Sequence, residues 1–196
     1  MEIELPSLSE AALSLAVVAG EVANFCDHAE HNEPLDITVV RQSGETLRLL
    51  AVELARDADS DVFELYTERL AVIESRNVLR AEDSFDGAAL AREAETWRDI
   101  QLVQAAHDKT YHSDVVGLTK SDQLRHYSLH LAKLAGATAS VAKAQLDHAD
   151  WLKRRVPDML LFGIKLATVS GETLTKESLP RLVAMENAVG HVVPLR

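Results

Sequence analysis

His126 and His130 stand four residues apart in the stretch RHYSLHLAKL (125–134), with Lys133 one turn further on. On a helix, residues at that spacing share a face. Two imidazoles so placed suit a metal ion, a phosphate group, or no ligand at all. Upstream, AHDKTYHSD adds His107 and His112 together with Asp108 and Asp114, so four of the chain's eight histidines fall within residues 107–130. Imidazole nitrogens joined by one carboxylate suit Zn2+, Fe2+ or Mn2+. For that chemistry the ligand set is His107, His112, His126 and His130. Downstream, Arg154, Asp158 and Lys165 fall on one narrow stripe of WLKRRVPDMLLFGIKLATV, a helix whose apolar residues point in nearly every direction. A helix apolar all round is buried, and buried charges must be paired internally or with a ligand.

The elements that carry these residues read as helices. The chain has 196 residues, 47% of them hydrophobic and 5% aromatic, with only five Pro and eight Gly. That is enough for one domain with a real core, and it suits long helices more than a sandwich or barrel. Apolar periodicity predicts helices over roughly 8–29, 45–57, 62–79, 87–109, 121–147, 151–169 and 175–189, a bundle of about seven. On the 121–147 helix, Leu124, Tyr127, Leu131, Leu134, Thr138 and Val141 form the inner stripe, and His126, His130 and Lys133 flank it. Ser121 or Asp122 reads as its cap, YHSDVVGLTKSD as a loop, DHADW as a turn, and DITVV (36–40) as the one strand-like run. Trp97 and Trp151 read as packing anchors at helix ends, Cys26 as a small core residue, and Glu53, Glu64 and Glu68 as a solvated row.

Charge is divided unevenly. Residues 1–100 carry 8 Arg, no Lys and 22 Asp and Glu, a net of −14, whereas residues 101–196 are at +3. An acidic chain argues against DNA as a partner, because that binding neutralises phosphates. The basic balance of the C-terminal half leaves room for a small anionic ligand. The single cysteine and the N-terminus MEIELPSLSE, which lacks a basic leader, lead to a cytoplasmic expectation. No uninterrupted apolar run reaches the roughly 18 residues needed to span a membrane, so none is expected to.

RRVPDMLLFGIKLATVSGETL resembles the second signature helix of the MazG-type all-α nucleoside-triphosphate pyrophosphohydrolases, in which Glu-x-x-Asp precedes an apolar run, Leu-Ala and a closing Gly. YSLHLAKLAGA is similar to the first signature, Glu-x-x-Glu-Leu, and 21 residues lie between Lys133 and Arg155, a spacing that suits the family. KTYHSD resembles the Phe-His segment of the dCTP-cleaving branch. The resemblance covers roughly 107–176, and ALSLAVVAGEVANF echoes a first-signature helix that keeps Glu21. It implies an all-α fold with a MazG-like four-helix core in residues 96–196, an acidic helical half (1–95) packed against it within a single domain, and a homodimer.

The family holds Mg2+ on clustered carboxylates, which bind the triphosphate and activate water. Carried over by position, its first Glu falls on His130 and its second on Lys133. The Glu of the second motif falls on Arg155, its Asp on Asp158, and the later Asp or Asn on Thr168. One hard oxygen ligand of five remains, and neither an ammonium nor a guanidinium binds a metal. The expectation is a nucleotide- or phosphate-binding relative with its usual Mg2+ centre lost, a pseudoenzyme or a divergent hydrolase. In it His130 and Asp158 take the catalytic positions. Lys133 stands in for a metal beside Asp158, and His126, Arg155 and Lys165 hold the ligand. Three other readings stay open: a transition-metal protein using the four histidines; a ribonuclease, since Arg125-x4-His130 is similar to the Arg-x4–6-His signature of HEPN ribonucleases; and a non-catalytic helical interaction protein.

Overall fold

The computed structural model describes residues 8–31, 33–77, 85–143 and 147–180. Among these residues the chain forms eight helices and no strand: α1 (Leu8–Glu30), α2 (Ile37–Asp57), α3 (Val62–Arg76), α4 (Gly87–Glu93), α5 (Trp97–Tyr111), α6 (Ser113–Val116), α7 (Lys120–Ala142) and α8 (His148–Val169).

Local capping chemistry sets most of the starts. Asp36 accepts from Thr38 N–H at 2.9 Å, and Asp61 from Phe63 N–H at 2.7 Å. Asp147 accepts from Ala149 N–H at 2.6 Å. Each carboxylate satisfies a donor that a first helical turn leaves free. These caps correct three sequence expectations. DITVV is the cap and first turn of α2 rather than a strand, so that helix begins at Ile37. DHADW opens α8 rather than turning the chain. The cap of α7 is Thr119, whose hydroxyl accepts from Asp122 N–H at 3.2 Å and donates to the Asp122 carboxylate at 2.6 Å.

The expected 87–109 helix is two helices, α4 and α5, parted at Ala94–Thr96. A Thr96–Asp99 capping box starts α5. Its first N–H groups, on Trp97 and Arg98, donate to Glu177 and Thr175 carbonyls at 3.2 and 2.9 Å. Residues 172–180 are therefore non-helical chain held against the start of α5, with one bridge between Thr96 and Ser178, rather than the expected helix from 175. Residues 181–189 of that expectation lie outside the described residues. The loop read in YHSDVVGLTKSD contains the four-residue α6.

α8 is the axis of the fold, packed by α2, α3, α5 and α7, and α1 lies along α7. The all-round apolar pattern of α8 is matched by burial from Val156 to Ala167 without a break. The α7 stripe is likewise buried, and Trp151 anchors α8 to it by donating its indole N–H to Thr138 Oγ1 at 3.0 Å. Cys26 is buried on α1, and Trp97 packs edge-on against Phe63 with ring centroids 5.4 Å apart. Glu53, Glu64 and Glu68 are exposed. α1 amends the membrane-length expectation: an 18-residue window within it reaches a mean hydropathy of 1.3, so by length and composition it is able to cross a membrane. Ser14, Gly20 and Glu21 interrupt its apolar run, so it holds no unbroken apolar stretch of that length. In this fold it presents one face to α7.

α2 crosses α8 at two glycines. A Cβ placed on Gly163 would lie 2.8 Å from both the Gly44 carbonyl oxygen and Arg48 Cγ. Arg48 also donates to the Gly163 carbonyl at 3.2 Å. Because backbone cannot move aside as a side-chain tip can, Gly163→Ala is expected to destabilise the protein by about 1–3 kcal/mol. Equilibrium urea unfolding at constant m-value would register this, and an unchanged midpoint would show that the crossing is looser than drawn.

Candidate functional site

A cleft of about 390 Å3 opens where α3, the α5–α6 junction, α7 and α8 meet. α3 contributes Arg69, Ile73 and Arg76, and Asn77 follows it. The α5–α6 junction contributes His112, Asp114 and Val115, and α7 contributes His126 and His130. α8 forms the back wall with Asp158, Leu161, Phe162 and Lys165. The cleft thus gathers six of the residues singled out from sequence: His112, Asp114, His126, His130, Asp158 and Lys165.

Asp158 faces Arg69. The guanidinium donates from Nε to Oδ1 at 2.6 Å and from Nη2 to Oδ2 at 3.2 Å, a two-pronged contact that uses both carboxylate oxygens. Arg155 approaches from one turn earlier on α8, with 3.8 Å between Nη1 and Oδ2. Burial pushes the Asp158 carboxyl up, and the Arg69 hydrogen bonds and charge offset part of that rise. The expected Lys133 stand-in is not what the fold provides. Lys133 is exposed on α7 and does not line the cleft, and the cation beside Asp158 comes from α3. Arg154 pairs on the exposed side of α8 with Asp150 at 3.3 Å. Arg69 was not singled out from sequence because the 62–79 stretch reads only as a helix by its apolar periodicity. Its faint signal is that Arg69 and Arg76 are seven apart, beside the Tyr66–Ile73 stripe, and so share a face two turns apart.

Lys165 is buried and anchored. Its Nζ lies 2.8 Å from Asp108 Oδ1, which also accepts from Gln104 Nε2 at 2.9 Å, while Gln104 Oε1 accepts from the Tyr66 hydroxyl at 2.8 Å. The ammonium also lies 5.5 and 5.7 Å from the Phe162 and Tyr127 ring centroids. Burial pushes the Asp108 carboxyl up, but the charge and hydrogen bond of Lys165, with the neighbouring His107 and His112, together outweigh it and the group lies below its ordinary value.

The cleft histidines are neutral at neutral pH. Burial and then the charge of Lys165 push His112 down to about 4. His130 is also at about 4, through burial first and then the charges of His126, Lys133 and Lys165. His126 is lowered by burial and by Lys165. Each imidazole therefore offers one donor and one acceptor. His130 stacks on Phe162, with centroids 5.1 Å apart and planes 28° apart, and His126 sits 4.7 Å from His130.

The four histidines considered together as metal ligands divide into two sets. His107 and His112 come together with Asp108, their coordinating atoms all within 4.8 Å of one another. His126 and His130 form a separate pair on α7. Arg125 does not line the cleft; it pairs with Glu30 of α1 and, at 3.4 Å, with Asp122. The chain matches no family model, no curated protein and no solved structure.

Proposed function

We propose that the cleft binds a small phosphate-bearing molecule of the nucleotide class, as a MazG-like relative that has replaced the Mg2+ centre by fixed cations. The observation that carries this reading is the two-pronged Arg69–Asp158 contact. Asp158 is the one carboxylate left of the Mg2+ motif, and both its oxygens are already engaged by a guanidinium. Of the other motif positions, His130, Lys133 and Arg155 do not fit the hard-oxygen chemistry of Mg2+, and the Thr168 hydroxyl is bonded to Gln101 and Ile164 outside the cleft. In place of metal charge the lining presents Arg69, Arg76 and Lys165, with Asn77 and three neutral imidazoles to complete hydrogen bonds to oxygens. The flat His130–Phe162 pair, with Ile73 and Leu161, supplies a wall for a ring. Asp158 is taken up by Arg69, and Asp114 is the one other carboxylate in the lining, so the reading is of a binding protein rather than a pyrophosphohydrolase. The family resemblance adds a homodimer to the proposal, which sedimentation would report as twice the chain mass.

The test is calorimetry or thermal shift with pyrophosphate, triphosphate and a panel of ribo- and deoxynucleotides, in EDTA. At least one compound is expected to bind without Mg2+ and to weaken as salt rises. Arg76→Ala, which leaves the Asp158 pair intact, is expected to reduce affinity by roughly 10- to 100-fold, the loss of one charge-assisted contact. Silence across the panel, or binding that requires Mg2+, would overturn the proposal.

A further inference from the structure

We infer that His107, Asp108 and His112 form a transition-metal site in the floor of the cleft, with Glu74 holding the far side of the His107 ring. His107 is fully buried, and neither of its ring nitrogens has a hydrogen-bond partner among the described residues. Buried imidazoles in native proteins are partnered, so this one is built for something more. Its Nδ1 lies 3.9 Å from Asp108 Oδ1, and its Nε2 lies 3.8 Å from Glu74 Oε1, itself a buried oxygen without a hydrogen-bond partner among the described residues. Both separations are too long for a hydrogen bond. The first is close to what a shared ion imposes: with bonds of about 2.0–2.2 Å, two ligands at a tetrahedral angle lie about 3.4 Å apart.

The backbone brings the third ligand in. α5 ends at Tyr111, and the His112 N–H donates to the Asp108 carbonyl at 2.8 Å, which turns His112 back toward the Asp108 carboxylate. With Nδ1 turned to the ion, the Nε2–H of His107 points toward Glu74, the arrangement in which a carboxylate holds a ligating imidazole in its tautomer and orientation.

Two imidazoles and one carboxylate suit Zn2+, Fe2+ or Mn2+ rather than Mg2+ or Ca2+. His112 also lines the cleft, so three protein ligands leave a coordination position facing it, the pattern of an exchangeable rather than a closed structural site. Lys165 already sits on Asp108 Oδ1 and competes for that carboxylate, so the affinity is set by two cations sharing one group. The inference does not rest on phosphate binding: its test contains no phosphate, and the nucleotide test contains chelator.

The full chain is stripped with chelator, then titrated with Zn2+ and Co2+. One ion per chain is expected by elemental analysis after gel filtration, with visible absorption from bound Co2+. The Co2+ protein should show contact-shifted N–H proton resonances from two imidazoles, a readout that needs no variant. His112→Ala should weaken binding at least about 10-fold, and Glu74→Gln by about 10- to 100-fold. The His126→Ala/His130→Ala double variant should bind as the parent does. The inference is overturned if the parent holds neither metal, if four imidazoles shift, or if the α7 double variant rather than His112→Ala loses the ion.

Discussion

Arg69→Ala is expected to lower the unfolding free energy by about 3–5 kcal/mol, the usual consequence of removing one partner from a buried ion pair. The side chains of Arg69 and Asp158 are 19% and 10% exposed, so neither charge is well hydrated. Without the guanidinium, the Asp158 carboxylate keeps Arg155 at 3.8 Å and the more distant charge of Lys165. Arg155, the more exposed cation, lies beyond hydrogen-bonding distance and compensates for part of the loss. Arg69→Ala/Asp158→Asn should recover much of the deficit, because the second change removes the stranded charge. Urea unfolding of the four proteins in a double-mutant cycle measures the coupling directly. A single variant as stable as the parent would mean that water, rather than Arg69, solvates Asp158, and would remove the main support for replacement of the Mg2+ centre by fixed cations.

Lys165→Met should produce a loss of similar size at neutral pH, about 3–5 kcal/mol, with a distinctive pH dependence. In the parent, burial raises the Asp108 carboxyl, and Lys165, as the largest of the opposing groups, with His107 and His112 brings it below its ordinary value. The folded state therefore binds fewer protons than the unfolded state as pH falls through the carboxylate range. The stability from this pair is present above the ordinary aspartate value and is lost as pH falls through the folded one. In the variant the sign reverses. Asp108 stays buried with Gln104 as its remaining donor, its carboxyl rises, and protonation favours the folded state. The gap between the two proteins should accordingly narrow from pH 7 toward pH 4. Unfolding midpoints at three pH values would show it, and a pH-independent gap would mean that packing of the lysine stem, not its charge, is what matters. Lys165→Met/Asp108→Leu should restore most of the loss, since an apolar pair can replace a buried ionic one.

Helical periodicity, legible from the order of residues alone, identified α7 and α8 and their faces. Leu124, Tyr127, Leu131 and Leu134 are spaced to share one side of any helix, whatever it packs against, and that side is buried. The same spacing put His126 and His130 at the edge of the stripe, where they line a cleft. The apolar circumference of α8 marked it as buried for the same reason, since water does not accommodate such a surface. Element ends were less legible where distant chain contributed. The break at 94–96 depends on carbonyls of residues 175 and 177 being available to the N–H groups of Trp97 and Arg98.

Partners of the buried charges were decided by the tertiary structure. Asp158 is 89 residues from Arg69, and in sequence Arg69 looks like any arginine at the edge of a helix face. Lys133, which aligned with the motif, ended on the solvent side of α7, while Lys165 found Asp108 on α5. Periodicity is a property of one helix and can be read locally. Electrostatic pairing depends on which helices meet, at what angle and in what register, and nothing in the spacing along a single helix carries that information.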